Sequence, residues 1–543
     1  MNIEKQIAIA LIIFSFMPQA SSVCTAQATD KTMPQLVKTE KATQLYVEGK
    51  PFLIIGGELN NSTSSSIEYM KPVWQLMSDL HFNTSLTPLS WDLVEPQEGK
   101  FDFTLIDSLI LGARQKNMHI VFLWLASWKN GMSSYMPLWV KENYKKYPRI
   151  KIKDDRTMEV LSPLSVASGE ADGKAFAAVM KHIKEFDGTK HTVLMMQIEN
   201  EVGILDDSRD RSAIANAAFA EAVPKELINY LVKNKTVLVP EIKERWESNG
   251  SKTSGNWEDV FGKGDATDEI FMAFNYARYV SIVIAAGKKE YPIPMYTNAW
   301  LNQGENPKPG NYPSGGPLAH VMDIWLAGAP NIDILSPDVY VSEYDERCRK
   351  FTQRNNPLFI PEMNSGEDGA RNIFIAIGKY KAIGVSPFGI DHLAKDAALG
   401  KSYDVLGQLS TIITEKQSKG EIVGFVVDEK NPSFTYTLGG YAIEISLDEI
   451  FGHRAKLGYG IVMTDDGPNK FIGAGSGFRV RFYPEVKSYK TIIGIGSVDE
   501  GMFSNNKWMA GRRLNGDEND QGRAWRFAFW KLGIEKCTVY KYE

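Results

Sequence analysis

Two glutamates stand where an apolar run gives way to polar residues. QIENEVG (197–203) closes one such run and FIPEMNSG (359–366) closes another, which puts carboxyl groups at Glu201 and Glu362. Paired carboxylates are suited to breaking a glycosidic bond. The protonated one delivers a proton to the leaving oxygen while the ionised one attacks the anomeric carbon. A separation of roughly 5 Å leads to retained configuration and a wider one, with room for water, to inversion. The chemistry therefore depends on which elements carry the two residues.

Eight short apolar runs alternate with helical patterns between residues 50 and 395: 52–56 (FLIIG), 84–88, 120–125 (IVFLWL), 193–198 (VLMMQI), 295–298, 332–336, 358–361 and 383–387. Each is apolar nearly throughout, as parallel strands covered on both faces must be. Helical stretches such as 105–116 and 174–186 lie between them. Eight strand–helix repeats predict an α/β fold, a (β/α)8 TIM barrel, with a doubly wound open sheet as the structural alternative. In a barrel, strands four and seven face each other across the mouth. Active residues then sit at the C-terminal strand ends, where Glu201 and Glu362 fall. The stretch 204–294 is too long for one helix and predicts an insertion over the active face; Gly304 to Pro317 predicts a second long loop. Glu199 is expected to be structural. Glu367 competes with Glu362 for the nucleophile's place, and Glu343 is a weaker rival.

After residue 400 strand-like runs follow at short spacing: 422–427, 433–438, 441–445, 460–463, 478–483, 490–495 and 525–529. They predict a smaller antiparallel β-sandwich over 399–543, after a barrel domain of 29–398. Its expected role is to cover a barrel flank, with glycan binding as the alternative. At the N-terminus, Lys5, the apolar run 7–17 and Ala26-Gln27-Ala28 read as a signal peptide over 1–28. Export to the periplasm or the exterior is the expectation. Cys24 raises lipid anchoring, against which the bulky Val23 before it argues. Cys348 and Cys537 are the two cysteines that would remain; one bridge between them is open, but no metal-binding spacing occurs. A net charge of −5 gives no reason to bind nucleic acid or an anionic membrane and suits a neutral substrate.

With these residues in view, QIENEVG resembles the acid/base segment of family 35 β-galactosidases, within the clan A glycoside hydrolases. WDLVEPQEGKFDF (91–103) resembles the strand-two signature of families 35 and 42. GGEL (56–59) resembles strand one of a bacterial family 35 branch that carries a C-terminal β-domain. The resemblance covers roughly residues 40–395. It implies Glu201 as acid/base, Glu362 as nucleophile and Asn200 as the partner that binds the sugar 2-hydroxyl. Because strand residues alternate in face, Asn200 and Glu201 can both enter the site only if the strand ends or kinks there, with which Gly203 is compatible. Tyr340 is placed to hydrogen-bond the nucleophile. Glu58, Asn60, Trp91, Trp128 and Trp300 are placed to bind hydroxyls or stack on the ring, each against a competing role in packing or a solvent loop.

The implied activity is a retaining, exo-acting β-galactosidase that removes terminal β-linked galactose from oligo- or polysaccharide side chains, without cofactor or metal. The alternatives are a β-glucosidase or α-L-arabinopyranosidase of the same clan, and a non-catalytic glycan-binding barrel. The expected partner is a carbohydrate, with a homodimer left open.

Overall fold

The computed structural model describes residues 32–486 and 490–543. The signal-peptide segment and Cys24 lie outside the described residues.

The eight expected strands are all present and form one parallel sheet: strand one Ile54–Glu58, two Thr84–Ser90, three His119–Lys129, four Val193–Asn200, five Met295–Trp300, six Ile334–Val339, seven in two pieces (Phe359–Ile360 and Glu362–Met363), and eight Gly384–Val385. Pro361 divides strand seven because it has no N–H to give a ladder. The first piece pairs with strand eight and the second with strand six; strand eight pairs with strand one, which closes the barrel. Helices such as Thr104–Gln115 and Val166–Asp187 cover the outside.

Alternation along the strands sorts the core into two shells. Val121, Leu123 and Leu125 of strand three point inward and pack with Leu86, Met195, Tyr296, Ile334 and Phe359. Leu45 and Val47, from an antiparallel ribbon before strand one, join this inner cluster. Ile120, Phe122 and Trp124 point outward under the helices.

The segment after strand four folds as four short helices, Ala213–Ala220, Lys225–Asn234, Pro240–Ser248 and Trp257–Phe261, before the long barrel helix Asp265–Glu290. The insertion was expected over the active face. Its first residues pair with the loop after strand five through an Ile204–Ser314 bridge, and its helices meet the first turn of helix Met322–Gly328, where Asp323 accepts hydrogen bonds from Tyr230 (2.8 Å) and from the Val239 N–H (2.6 Å). Asp265–Glu290 is long and apolar enough to cross a membrane, but its apolar residues belong to the core against the barrel helices.

Helix Ala398–Lys419 packs back on the barrel side, with Tyr403 donating to the Gly56 carbonyl (2.7 Å). The sandwich strands begin at Ile422 and form antiparallel sheets of six and four strands around a shared apolar core. Three of these strands are absent from the sequence expectation: Lys470–Ser476, Lys507–Leu514 and Gly533–Tyr542. The first reads KFIGAGS, and its glycines hide a strand signal. They are needed because a Cβ on Gly473 would lie 2.6 Å from the Phe527 ring. Cys348 and Cys537 are buried free thiols, so the bridge left open by the sequence is not formed.

Candidate active site

Strand four solves its alternation problem with left-handed backbone. Glu199 has φ 59° and Glu201 φ 45°, which breaks the period of two and turns both Asn200 and Glu201 toward the barrel axis. Such conformations are costly for side chains larger than glycine and persist only where the surroundings enforce them. Gly203 completes the turn at φ 146°, and a Cβ there would lie 2.5 Å from Pro313. Glu199, turned away behind the strand, accepts the backbone N–H groups of Ser127 (3.0 Å) and Trp128 (2.9 Å) and so anchors the end of strand three.

Glu362 is buried at the end of strand seven and receives three hydrogen bonds. Asn200 Nδ2 and Asn298 Nδ2 each donate to Oε1 at 3.1 Å, and the Tyr340 hydroxyl donates to Oε2 at 3.0 Å. Both amides are themselves oriented. Lys129 Nζ donates to Asn200 Oδ1 (2.8 Å), so that amide can only present its NH2 to Glu362. Asn298 accepts the Glu201 N–H on Oδ1 (3.0 Å) and gives its other hydrogen to Asp338 Oδ2 (2.8 Å).

Glu201 is buried and accepts from Asn130 Nδ2. Burial, followed by the charge of Glu362, pushes its carboxyl up to about 8, against the opposing pull of Lys129. Oxygens of Glu201, Asp338 and Glu362 all lie within 4.8 Å of one another. Burial and the neighbouring Glu362, Glu201 and Glu58 hold Asp338 well above the usual carboxylate range. Its Oδ1 has no partner other than a carboxyl neighbour among the described residues. Glu58, at the end of strand one, is likewise raised, by burial first and Glu362 second. The centre thus holds four carboxyl groups and one ammonium, and cannot have every carboxyl ionised at neutral pH. Three of these carboxyls could also ring a cation. The Lys129 ammonium and the amide and phenol donors already supply positive potential at that point.

The structure therefore brings together Glu201, Glu362, Asn200, Tyr340 and Glu58 from the residues singled out in the sequence. Trp300 stands at the end of strand five, partly exposed and on the same strand face as Asn298. Asn60 lies in the loop beyond strand one, its Nδ2 on the Asp391 carboxylate (3.0 Å), where it fixes that loop. Two tryptophans are elsewhere. Trp91 is fully buried, donating to Glu95 (2.8 Å) and meeting Trp139 edge-on at 5.9 Å. Trp128 points outward from strand three between Tyr276 and Tyr279, at 5.2 and 4.5 Å, with its indole N–H on the Leu161 carbonyl. Neither can stack on a ligand at the mouth. Glu367 is exposed and ion-paired with Arg371, and Glu343 is exposed, so neither rival is near the centre. Lys129, Asn298 and Asp338 are additions that the sequence reading passed over.

Residues 63–288, which include strands two to four of the barrel, match the family model described as Beta-galactosidase, of glycoside hydrolase family 42. Family 42 is one of the two whose strand-two signature the sequence resembles; the match does not extend to family 35. Residues 399–526 match a domain of unknown function, DUF5597. A β-galactosidase of Xanthomonas manihotis is 26% identical over 212 residues, 37% of this chain and 32% of that protein. The chain thus spans about a third of the length of that curated relative. Among solved structures, a β-galactosidase of Bacillus circulans sp. alkalophilus is 14% identical with a TM-score of 0.46, covering 67% of this chain and 57% of its own. A family 39 glycoside hydrolase of Bacteroides cellulosilyticus WH2 is 10% identical with a TM-score of 0.41, covering 92% and 84%.

Proposed function

We propose that the chain is a retaining, exo-acting β-galactosidase, with Glu362 as nucleophile and Glu201 as acid/base. The observation that carries this reading is the Glu201–Glu362 pair at opposed strand ends, with oxygens within 4.8 Å, a spacing suited to a covalent intermediate rather than to an intervening water. The two groups differ in the way the two roles demand. Glu362 faces three donors, which serve an acceptor-only carboxylate, whereas Glu201, raised to about 8, holds a proton at neutral pH.

In the first step a Glu362 oxygen bonds to the anomeric carbon as the glycosidic C–O bond breaks, and Glu201 transfers its proton to the departing oxygen. Esterification removes the negative charge of Glu362, one of the two causes that raise Glu201. Glu201 then becomes more acidic and serves as base for water, which releases the sugar with retained configuration and returns Glu362 to its ionised state. Asn200, with its NH2 held toward the centre by Lys129, is the proposed partner of the sugar 2-hydroxyl. Glu58 offers a neutral carboxyl to other hydroxyls, and Trp300 a ring face. The preference for galactose rests on the resemblance and the family match over 63–288. The substrate is proposed to be a terminal β-galactosyl unit of a glycan met after export.

The test is hydrolysis of nitrophenyl β-galactoside, β-glucoside and α-L-arabinopyranoside, with the released anomer followed by NMR. β-Galactose appearing first supports the proposal. Fastest release of glucose or arabinose moves it to a sister exo-glycosidase, and inert behaviour on all three favours a binding barrel.

A further inference from the structure

A cavity of about 510 Å³ opens where the sandwich meets helix Ala398–Lys419, within the size range of small-molecule sites and sharing no residue with the Glu201–Glu362 cluster. Trp530 stands on its rim with 65% of its surface exposed, and the neighbouring Phe529, 42% exposed, meets the indole edge-on at 4.8 Å. Two adjacent aromatic side chains left to water are unusual for a chain that encloses most of its other tryptophans. At the inner end lies Glu535, only 8% exposed, whose Oε2 takes the Trp525 indole N–H at 2.8 Å. Burial pushes this carboxyl up to about 8, so it carries a proton at neutral pH and can donate as well as accept.

The cations on the walls are already matched. Arg512 joins Glu500 (2.7 Å) and Glu518 (3.0 Å), Lys531 joins Glu500 (3.2 Å), and buried Arg526 is paired with Asp448 (2.7 Å). Asp404, on the helix side, accepts from Gln408 (3.1 Å), and with every wall cation paired the cavity has no free positive charge with which to hold an anion. It offers a flat apolar ring at the entrance and fixed polar edges within. A ligand with an apolar face ringed by hydroxyls meets both demands, because its C–H face covers the indole while its hydroxyls exchange hydrogen bonds with the walls.

We infer that this cavity is a second glycan-binding site, taking a neutral sugar unit of a polysaccharide between Trp530 and Glu535. Its work is to hold the chain on the polymer, and it is independent of the reaction proposed for the barrel. The full-length protein is run at 4 °C in native gels containing soluble β-1,4-galactan, arabinogalactan or xyloglucan, and the retardation is converted to an apparent Kd. At least one polymer is expected to retard the wild type, with a Kd raised at least about ten-fold in Trp530→Ala and restored in large part in Trp530→Phe. Because Trp530 is exposed, the melting temperature of both variants should match the wild type. Glu535→Gln, which keeps an acceptor and a donor, is expected to weaken retardation less than Trp530→Ala. The inference is overturned if none of the three polymers retards the wild type, if Trp530→Ala is retarded equally, or if only Trp300→Ala at the barrel mouth abolishes retardation.

Discussion

Replacing Glu362 by Gln should do more than stop turnover: it should lower the pKa of Glu201. The oxygens of the two carboxyls lie within 4.8 Å. Two unit charges at that distance repel by roughly 3.5 kcal/mol at an effective dielectric constant of about 20, equivalent to roughly 2.5 pKa units. The charge of each carboxylate is spread over two oxygens, and burial is the larger cause of the shift and survives the substitution. We therefore expect the value to fall from about 8 by roughly 1–2 units. The assay is a carboxyl 13C NMR titration of glutamate-labelled Glu362→Gln, with Glu362→Gln/Glu201→Gln as the assignment control. A Glu201 that titrates where it does in the wild type would refute the claim that Glu362 sets its proton affinity. It would also remove the proposed basis for its change from acid to base.

Lys129→Met removes the one cation that opposes the rise of Glu201 and the donor that orients Asn200. The alkaline limb of kcat/KM should move to higher pH while kcat falls by roughly ten-fold or more; a pH profile unchanged in position would contradict this. Asp338 has a folded pKa above its unfolded value, so its stabilising neutral form is complete below about pH 4 and is lost as pH rises through the folded value. Asp338→Asn cannot ionise, so its melting temperature should exceed that of the wild type at pH 8 and match it near pH 4; parallel decline of the two would refute the assignment. Trp128→Ala should destabilise the fold by about 3–5 kcal/mol in denaturant titration, as expected for a buried indole. Trp300→Ala should leave stability within about 0.5 kcal/mol and raise KM, and the opposite pattern would exchange their roles.

The barrel was legible because each of its strands is buried on both faces, which writes a continuous apolar run into the sequence. Glu201 and Glu362 were legible for the complementary reason: a carboxyl that ends such a run has no ordinary place in a core. The errors concern the face on which a side chain falls. Strand three continues to Lys129, beyond the apolar run, and Trp128 takes the outward position there while Lys129 turns in. Tryptophan is at home in either environment, so its type gives no sign of which. Asn298 and Asp338 carried a signal that went unused, since each is a polar residue at the C-terminal end of a barrel strand. Counting by two from the inward Tyr296 reaches Asn298, and from Ile334 it reaches Asp338. The left-handed turns at Glu199 and Glu201 were beyond the sequence, because non-glycine residues adopt them only under tertiary constraint.

Retention by this pair requires a covalent bond between substrate and Glu362. The direct measurement is peptide mapping by mass spectrometry after incubation with a 2-deoxy-2-fluoro-β-galactosyl fluoride, which forms the intermediate but leaves it slowly. One fluorogalactosyl adduct per chain, on Glu362, is the expected result. An adduct on Glu367 or Glu201, or inverted product with no adduct at all, would contradict it.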